Sequence, residues 1–256
     1  MSKTFTLKKV EAAAVCGAGH GIGLELTKTI LEQQPNAQLF ASYRNKDQAA
    51  GLLELQKAYG NRLKITCLKP TELGSLENFY NEISSRVKHL DLIINSIGVL
   101  HDEGCRPEKS LEQISLDRLI HSFTVNAAIT PLLAKALLPL IRKSHFSLFA
   151  SISAKVGSIE DNRLGGWYGY RASKSALNMF IKNIAIECQN RSIPCIALAI
   201  HPGTTKTSLS EPYIKNTKLK IHSPEETASN ILSVLEGKTL HQSGKFYSWD
   251  HKEIPW

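Results

Sequence analysis

Tyr170 and Lys174 stand four residues apart in the segment Tyr170-Arg171-Ala172-Ser173-Lys174. On a helix this spacing puts the phenol and the ammonium on one face. A free phenol ionises near pH ~10, too high to exchange protons readily at neutral pH. A neighbouring ammonium favours phenolate and lowers that value, so the pair is a candidate general acid/base. The spacing alone is common. A second feature stands beside it: Gly17-Ala18-Gly19-His20-Gly21-Ile22-Gly23, between a short apolar run and an amphipathic one. Glycines there allow a tight turn and close approach of the backbone to a ligand. A helix starting at that turn offers free N–H groups and its positive dipole end to a pyrophosphate. The loop reads as a nucleotide site.

The elements that must position these groups follow from periodicity. Apolar runs at 11–16, 38–43, 90–94, 146–151 and 193–200 read as strands, with a half-buried strand at 63–67 and a short last one at 246–249. Between them, Ile22, Leu26, Ile30 and Leu31 mark a first helix, and 49–59, 76–87, 123–141 and 168–188 carry further ones. Ser223-Pro224-Glu225-Glu226 opens a late helix, with Ser as N-cap, Pro first and Glu three after the cap. Alternating strands and helices, with near-continuous apolar strands, predict an α/β fold built on one doubly wound parallel sheet of about seven strands. Residues 1–256 read as a single domain, and ligands of such sheets bind at the carboxyl ends of the strands.

Composition narrows the class. The 256 residues are 42% hydrophobic and 21% charged, which excludes disorder as the main state. The longest apolar runs, such as Ile129–Ile141 with Lys135 and two prolines, fall short of the ~18 residues of a membrane span. The net charge of +8 suits an anionic partner such as nucleotide phosphates, or simply a solvated basic surface. The lysines are scattered apart from Lys206, Lys215, Lys218 and Lys220, and no basic helix with interleaved aromatics argues for nucleic acid. Cys16, Cys67, Cys105, Cys188 and Cys195 form no C-x-x-C pair, and nine histidines show no ligand spacing, so no metal is expected. Reduced, mostly buried thiols and the lack of a signal-peptide pattern point to the cytoplasm.

Taken together, the motifs resemble the short-chain dehydrogenase/reductase family over nearly the whole chain. Gly17, Gly21, Ile22 and Gly23 look like its cofactor loop. Asn95-Ser96-Ile97-Gly98 resembles its Asn-Asn-Ala-Gly motif in altered form. Asn126 matches the helix asparagine of the catalytic tetrad, and Tyr170 with Lys174 the Tyr-x-x-x-Lys pair. Pro202-Gly203 and Thr207 match the loop that covers the nicotinamide. The segment 156–167 and the ending Ile254-Pro255-Trp256 resemble the C-factor and sniffer-type carbonyl reductase branch. The resemblance implies a Rossmann-type fold and NAD(P)-dependent carbonyl reduction or alcohol oxidation. Lys174 would bind the nicotinamide ribose and depress the Tyr170 pKa, Tyr170 would protonate the carbonyl oxygen, and Asn126 would hold a relay water.

Departures from the pattern matter. Aligned on Gly157, the position of the family's serine holds Ala154, with Ser153 one residue earlier. Adjacent strand residues point to opposite faces, so Ser153 reaches the site only where the strand end turns or bulges. Ser153 is the expected catalytic serine, with Ser151, Ser158 or no serine as alternatives. Lys69 replaces an aspartate that often contacts adenine, and reads as a surface residue. At the end of strand two, Ala41-Ser42-Tyr43-Arg44-Asn45 lacks the acid that holds ribose hydroxyls in NAD enzymes. Arg44 could pair with a 2′-phosphate, and His20 sits where NADP-preferring relatives carry a basic residue, so NADP(H) is expected over NAD(H). Trp167 could line the substrate pocket or pack at an interface.

Two functions stay open: an NADP(H)-dependent carbonyl reductase acting on a small carbonyl or alcohol, and a cofactor-binding signalling or scaffold protein of the C-factor type with little turnover. Intact Asn126, Tyr170 and Lys174 favour the enzyme. Nothing in segment 208–221 names a substrate. The helices at 123–141 and 168–188 match the pair that forms four-helix interfaces in the family, so a homodimer or homotetramer is expected.

Overall fold

The computed structural model describes residues 4–101, 106–141, 146–215 and 219–256. Cys105 and Lys218 lie outside them. Seven parallel strands form the central sheet: β1 (Ala12–Cys16), β2 (Gln38–Tyr43), β3 (Leu63–Cys67), β4 (Leu92–Asn95), β5 (Ser147–Ile152), β6 (Cys195–His201) and, last in the chain, a strand at Lys245–Ser248. Two further short strands, β7 (Thr204–Thr205) and β8 (Ile221–His222), pair with each other outside it, which makes the last strand β9. The order is β3-β2-β1-β4-β5-β6-β9. It reverses between β1 and β4, where Cys16 pairs with Asn95, and that switch point is where such sheets hold ligands.

Alternation along the strands sorts the core. Ala13 and Val15 face one side, under α1 (Gly21–Gln33), α2 (Ala50–Tyr59) and, late in the chain, the helix Pro224–Leu235. Ala12, Ala14 and Cys16 face the other, under α3 (Ser75–Ser84), the helical run that follows β4, and the long helix Tyr168–Asn190. Fully buried strands such as β1 and β5 read as continuous apolar runs because helices cover both faces. Ser223 accepts from the Glu226 amide while the Glu226 carboxylate accepts from the Ser223 amide, which completes the expected capping box.

The helix expected over 123–141 differs from the reading. It begins earlier, as α4 (Leu116–Phe123), passes through a π turn at Thr124–Ala128, and continues as α5 (Ile129–Ile141). The π turn inserts extra backbone at Asn126, a feature that apolar spacing does not register. The combined run of 26 residues is long and apolar enough to cross a bilayer, where the sequence reading finds no adequate stretch. Its inner face is core: Ile129, Leu133, Leu137 and Ile141 pack against the sheet. The remaining helices are α6 (Tyr168–Asn190), α7 (Glu211–Ile214) and α8 (Pro224–Leu235).

Candidate active site

A cavity of about 860 Å³ opens over the carboxyl ends of β1, β4, β5 and β6. Its nucleotide-facing end is the glycine loop. Gly17 takes φ +83° and Gly21 φ +58°. A Cβ on Gly23 would stand 2.2 Å from the Gly17 carbonyl oxygen, so no side chain fits where α1 crosses the loop. His20, the residue before α1, supplies no side-chain cap, and His20, Gly21 and Ile22 border the cavity. The first-turn amides of a 13-residue helix therefore face it with their positive dipole end, the chemistry a pyrophosphate needs. Arg44 is exposed just past β2, with no carboxylate beside it before Asp47. This set of donors fits a dinucleotide with a phosphorylated ribose. Lys69 is exposed and paired with Glu72 at 3.0 Å.

The loop after β4 splits its expected roles. Ser96 and Gly98 border the cavity. Asn95 turns inward: its amide donates to Thr130 on α5 at 3.1 Å, and its oxygen accepts from the Ile97 amide. Asn126 is also buried. Its Oδ1 accepts from Val99 N at 2.7 Å, and its Nδ2 donates to Val99 O and to Ser173 Oγ. Both N–H groups of the carboxamide are thus engaged within the protein, and the side chain ties the loop after β4 to α6 one residue from Lys174. A relay water is not held by those donors.

Tyr170 and Lys174 share the inner face of α6 and both border the cavity. Lys174 is buried, with Nζ donating to the Ile152 carbonyl at 3.0 Å and lying 5.8 Å from the centre of the Tyr170 ring. The electrostatics differ from the expectation. Burial raises the Tyr170 phenol above its ordinary value, and burial lowers Lys174 to about 8. Burial penalises the charged form of each group. The site without ligand therefore holds Tyr170 as a proton-bearing phenol.

Ser153 follows β5 and is buried, but its hydroxyl donates to Asn178 Oδ1 at 2.6 Å. Ser158 Oγ donates to the Trp256 carbonyl and accepts from Asp161 N. Ser151 is buried within β5 itself. Ala154 borders the cavity at the family's serine position. Ser153 borders the cavity beside it, with its hydroxyl bonded to Asn178 of α6. Pro202, Gly203 and Thr207 border the cavity as expected, with Thr207 held by Ser210.

Four residues escape sequence reasoning. Glu108 is buried and accepts from Gly169 N at 3.1 Å in the first turn of α6, while its carbonyl accepts from Trp167 N. Asn178 lies one turn beyond Lys174, a spacing that could have found it. His201 ends β6 at the cavity, and burial lowers its imidazole to about 4, so it is neutral at physiological pH. Tyr213 on α7 stands beside Trp167.

Solved carbonyl reductase from chicken fatty liver, with NADPH bound, superposes with TM-score 0.85 at 27% identity, covering 96% of this chain and 99% of that one. The short chain dehydrogenase gsfK of Penicillium aethiopicum is 28% identical, over 94% of this chain and 98% of its own length. The benzil reductase ((S)-benzoin forming) of Saccharomyces cerevisiae is 30% identical, over 77% of this chain and 72% of its own. The description of the short chain dehydrogenase family matches residues 11–218. By that match, and by a seven-stranded parallel sheet with its glycine loop at the switch point, the chain belongs to the short-chain dehydrogenase/reductase family of oxidoreductases.

Proposed function

We propose that this chain reduces a small carbonyl compound with NADPH, with Tyr170 as the proton donor. The observation that carries the reading is the pairing of half-buried Tyr170 with buried Lys174 on one face of α6, at a cavity whose other end is the glycine loop. When bound, the nicotinamide supplies a hydride. Gly17, His20, Gly21, Ile22 and Gly23 would cradle the pyrophosphate, Arg44 would meet the 2′-phosphate, and Ser96, Gly98, Pro202, Gly203 and Thr207 would flank the rest. The NADPH-bound carbonyl reductase neighbour supports the same cofactor.

The chain's own groups divide the work. Tyr170, as a neutral phenol, donates its phenolic proton to the carbonyl oxygen as negative charge develops there. Lys174 holds the ribose and, as an ammonium, stabilises the phenolate left behind. Asn126 positions Lys174 through Ser173. Ser153 acts through Asn178 by fixing the turn after β5. The unpaired Cys16, Cys188 and Cys195, all buried, suit work in the cytoplasm. Exposed Leu116, Ile120 and Phe123 on α4 with Met179 and Ile186 on α6 suit pairing with a second copy.

The test is NADPH consumption over a panel of small aldehydes, ketones and diketones. Turnover supports the reading. NADPH binding without turnover on any of them would favour a cofactor-binding scaffold, the reading that Ala154 keeps in play.

A further inference from the structure

The stretch 206–215 crosses the cavity from one rim to another. It starts at β7, whose Thr204 and Thr205 pair with Ile221 and His222 of β8, and it carries α7. Thr207, Ser208, Leu209, Ser210 and Tyr213 all border the cavity. The first turn is tied to itself: Ser210 Oγ accepts from Thr207 N and donates to the Thr205 carbonyl. Thr207 lies against the glycine loop, where a Cβ on Gly21 would stand 3.4 Å from the Thr207 methyl carbon. The stretch therefore reaches over the end of the cavity that faces the nucleotide.

His101 stands on the opposite rim, three residues past Gly98 in the loop after β4. Its Nε2 lies 3.2 Å from the Ser208 carbonyl oxygen and 3.1 Å from that of Leu209. Carbonyl oxygens only accept, so Nε2 carries the hydrogen and one N–H is shared between the two. The same ring meets Tyr213 of α7 at 5.8 Å and 58°. Ser208 directly follows Thr207, so the bond falls where the stretch meets the glycine loop. His101 is half-buried and belongs to neither core cluster. An apolar side chain would serve packing alone; an imidazole N–H pins two main-chain carbonyls of the facing stretch.

We propose that His101 is a latch: its N–H holds the stretch 206–215 down over the dinucleotide, so that NADPH leaves only when this bond opens. His101 is a positioning residue that acts through Ser208 and Leu209 rather than on the reacting atoms. The inference rests on the reading of the cavity as an NADPH site and adds the group that controls its opening. Lids of this kind keep water from the reacting groups, and their opening often limits turnover.

The experiment measures how fast bound NADPH leaves. The protein is saturated with NADPH and mixed with excess NADP+, and the loss of bound-nicotinamide fluorescence is followed by stopped flow with no carbonyl compound present. His101→Ala should release NADPH at least about fivefold faster than the parent, the factor that one net hydrogen bond supplies. His101→Phe keeps a ring against Tyr213 and removes the N–H, so it should match His101→Ala. His101→Gln puts an amide N–H near the place of Nε2, so its release rate should stay within about twofold of the parent. Thermal unfolding of each variant accompanies the rates. Release at the parent's rate from His101→Ala or His101→Phe, release from His101→Gln as fast as from His101→Ala, or variants that fail to fold would overturn the latch. A parent that binds no NADPH overturns the latch together with the cofactor reading. Release rates in the expected order, in a protein that turns over no carbonyl compound, support the latch and count against the reductase reading alone.

Discussion

The hydroxyl of Ser153 donates to Oδ1 of Asn178 at 2.6 Å, a buried bond that joins the turn after β5 to the middle of α6. It couples the segment that ends β5 at the cavity to the helix that carries Tyr170 and Lys174, and it engages the Ser153 hydroxyl within the protein. Ser153→Ala leaves the Asn178 oxygen without this donor, so it should lower stability by about 1–3 kcal/mol. Turnover at a temperature where the variant is folded should stay within about threefold of the parent, since an effect below ~1 kcal/mol on the reacting state corresponds to such a factor. Chemical denaturation and steady-state kinetics on one preparation check both. A large loss of kcat at unchanged stability would mean that the hydroxyl turns to the substrate.

Glu108 anchors the first turn of α6 from inside the protein. Glu108→Ala removes the acceptor for Gly169 N and opens a buried space, with an expected loss of about 1–3 kcal/mol in denaturant unfolding. Because Trp167 and Tyr170 sit on that turn, KM for the carbonyl substrate should rise as well. Unchanged stability would show that the carboxylate is not part of the helix anchor.

Arg44 carries the cofactor preference. The parent should bind NADPH at least about tenfold more tightly than NADH, and Arg44→Ala should erase most of that difference while leaving NADH binding nearly unchanged. Fluorescence titration with both cofactors gives the ratio. Equal affinities in the parent would remove Arg44 from the 2′-phosphate site.

Lys174 makes stability depend on pH. Burial lowers it to about 8 in the folded protein, against about 10.4 for an unfolded lysine. Between those values the unfolded chain binds more protons than the folded one, so the contribution of this position to stability rises with pH across that window. Below it, the folded state carries the full cost of a buried ammonium. Unfolding free energies of the parent and of Lys174→Met, compared near pH ~7 and pH ~9.5, should move in favour of the parent at the higher pH. A constant difference would mean that Lys174 is not desolvated.

Much of this was legible in the chain itself, for identifiable reasons. The strands of a parallel sheet are buried on both faces, so β1, β2 and β5 stand out as apolar runs, and the glycine loop follows β1 because only glycine fits at Gly23. The π turn at Asn126 was hidden, because the apolar pattern continues through it and the partners of Asn126, the Val99 backbone and the Ser173 hydroxyl, are distant in sequence. Tyr213 on α7 and His101 after β4 are far apart in sequence, and only the folded chain brings their rings together. Spacing placed Tyr170 beside Lys174 but could not register the burial that raises the phenol, since one turn of helix says nothing about how dry the site is.

The most direct measurement is turnover and NADPH binding of Tyr170→Phe, made together on a carbonyl compound the parent reduces. Phenylalanine keeps the ring against Trp167 and removes only the proton. With Tyr170 as the acid, kcat should fall by roughly 10²-fold or more, while the NADPH dissociation constant stays within about threefold, a change of under ~1 kcal/mol. A variant that binds NADPH and retains most of the parent's turnover would contradict Tyr170 as the proton donor.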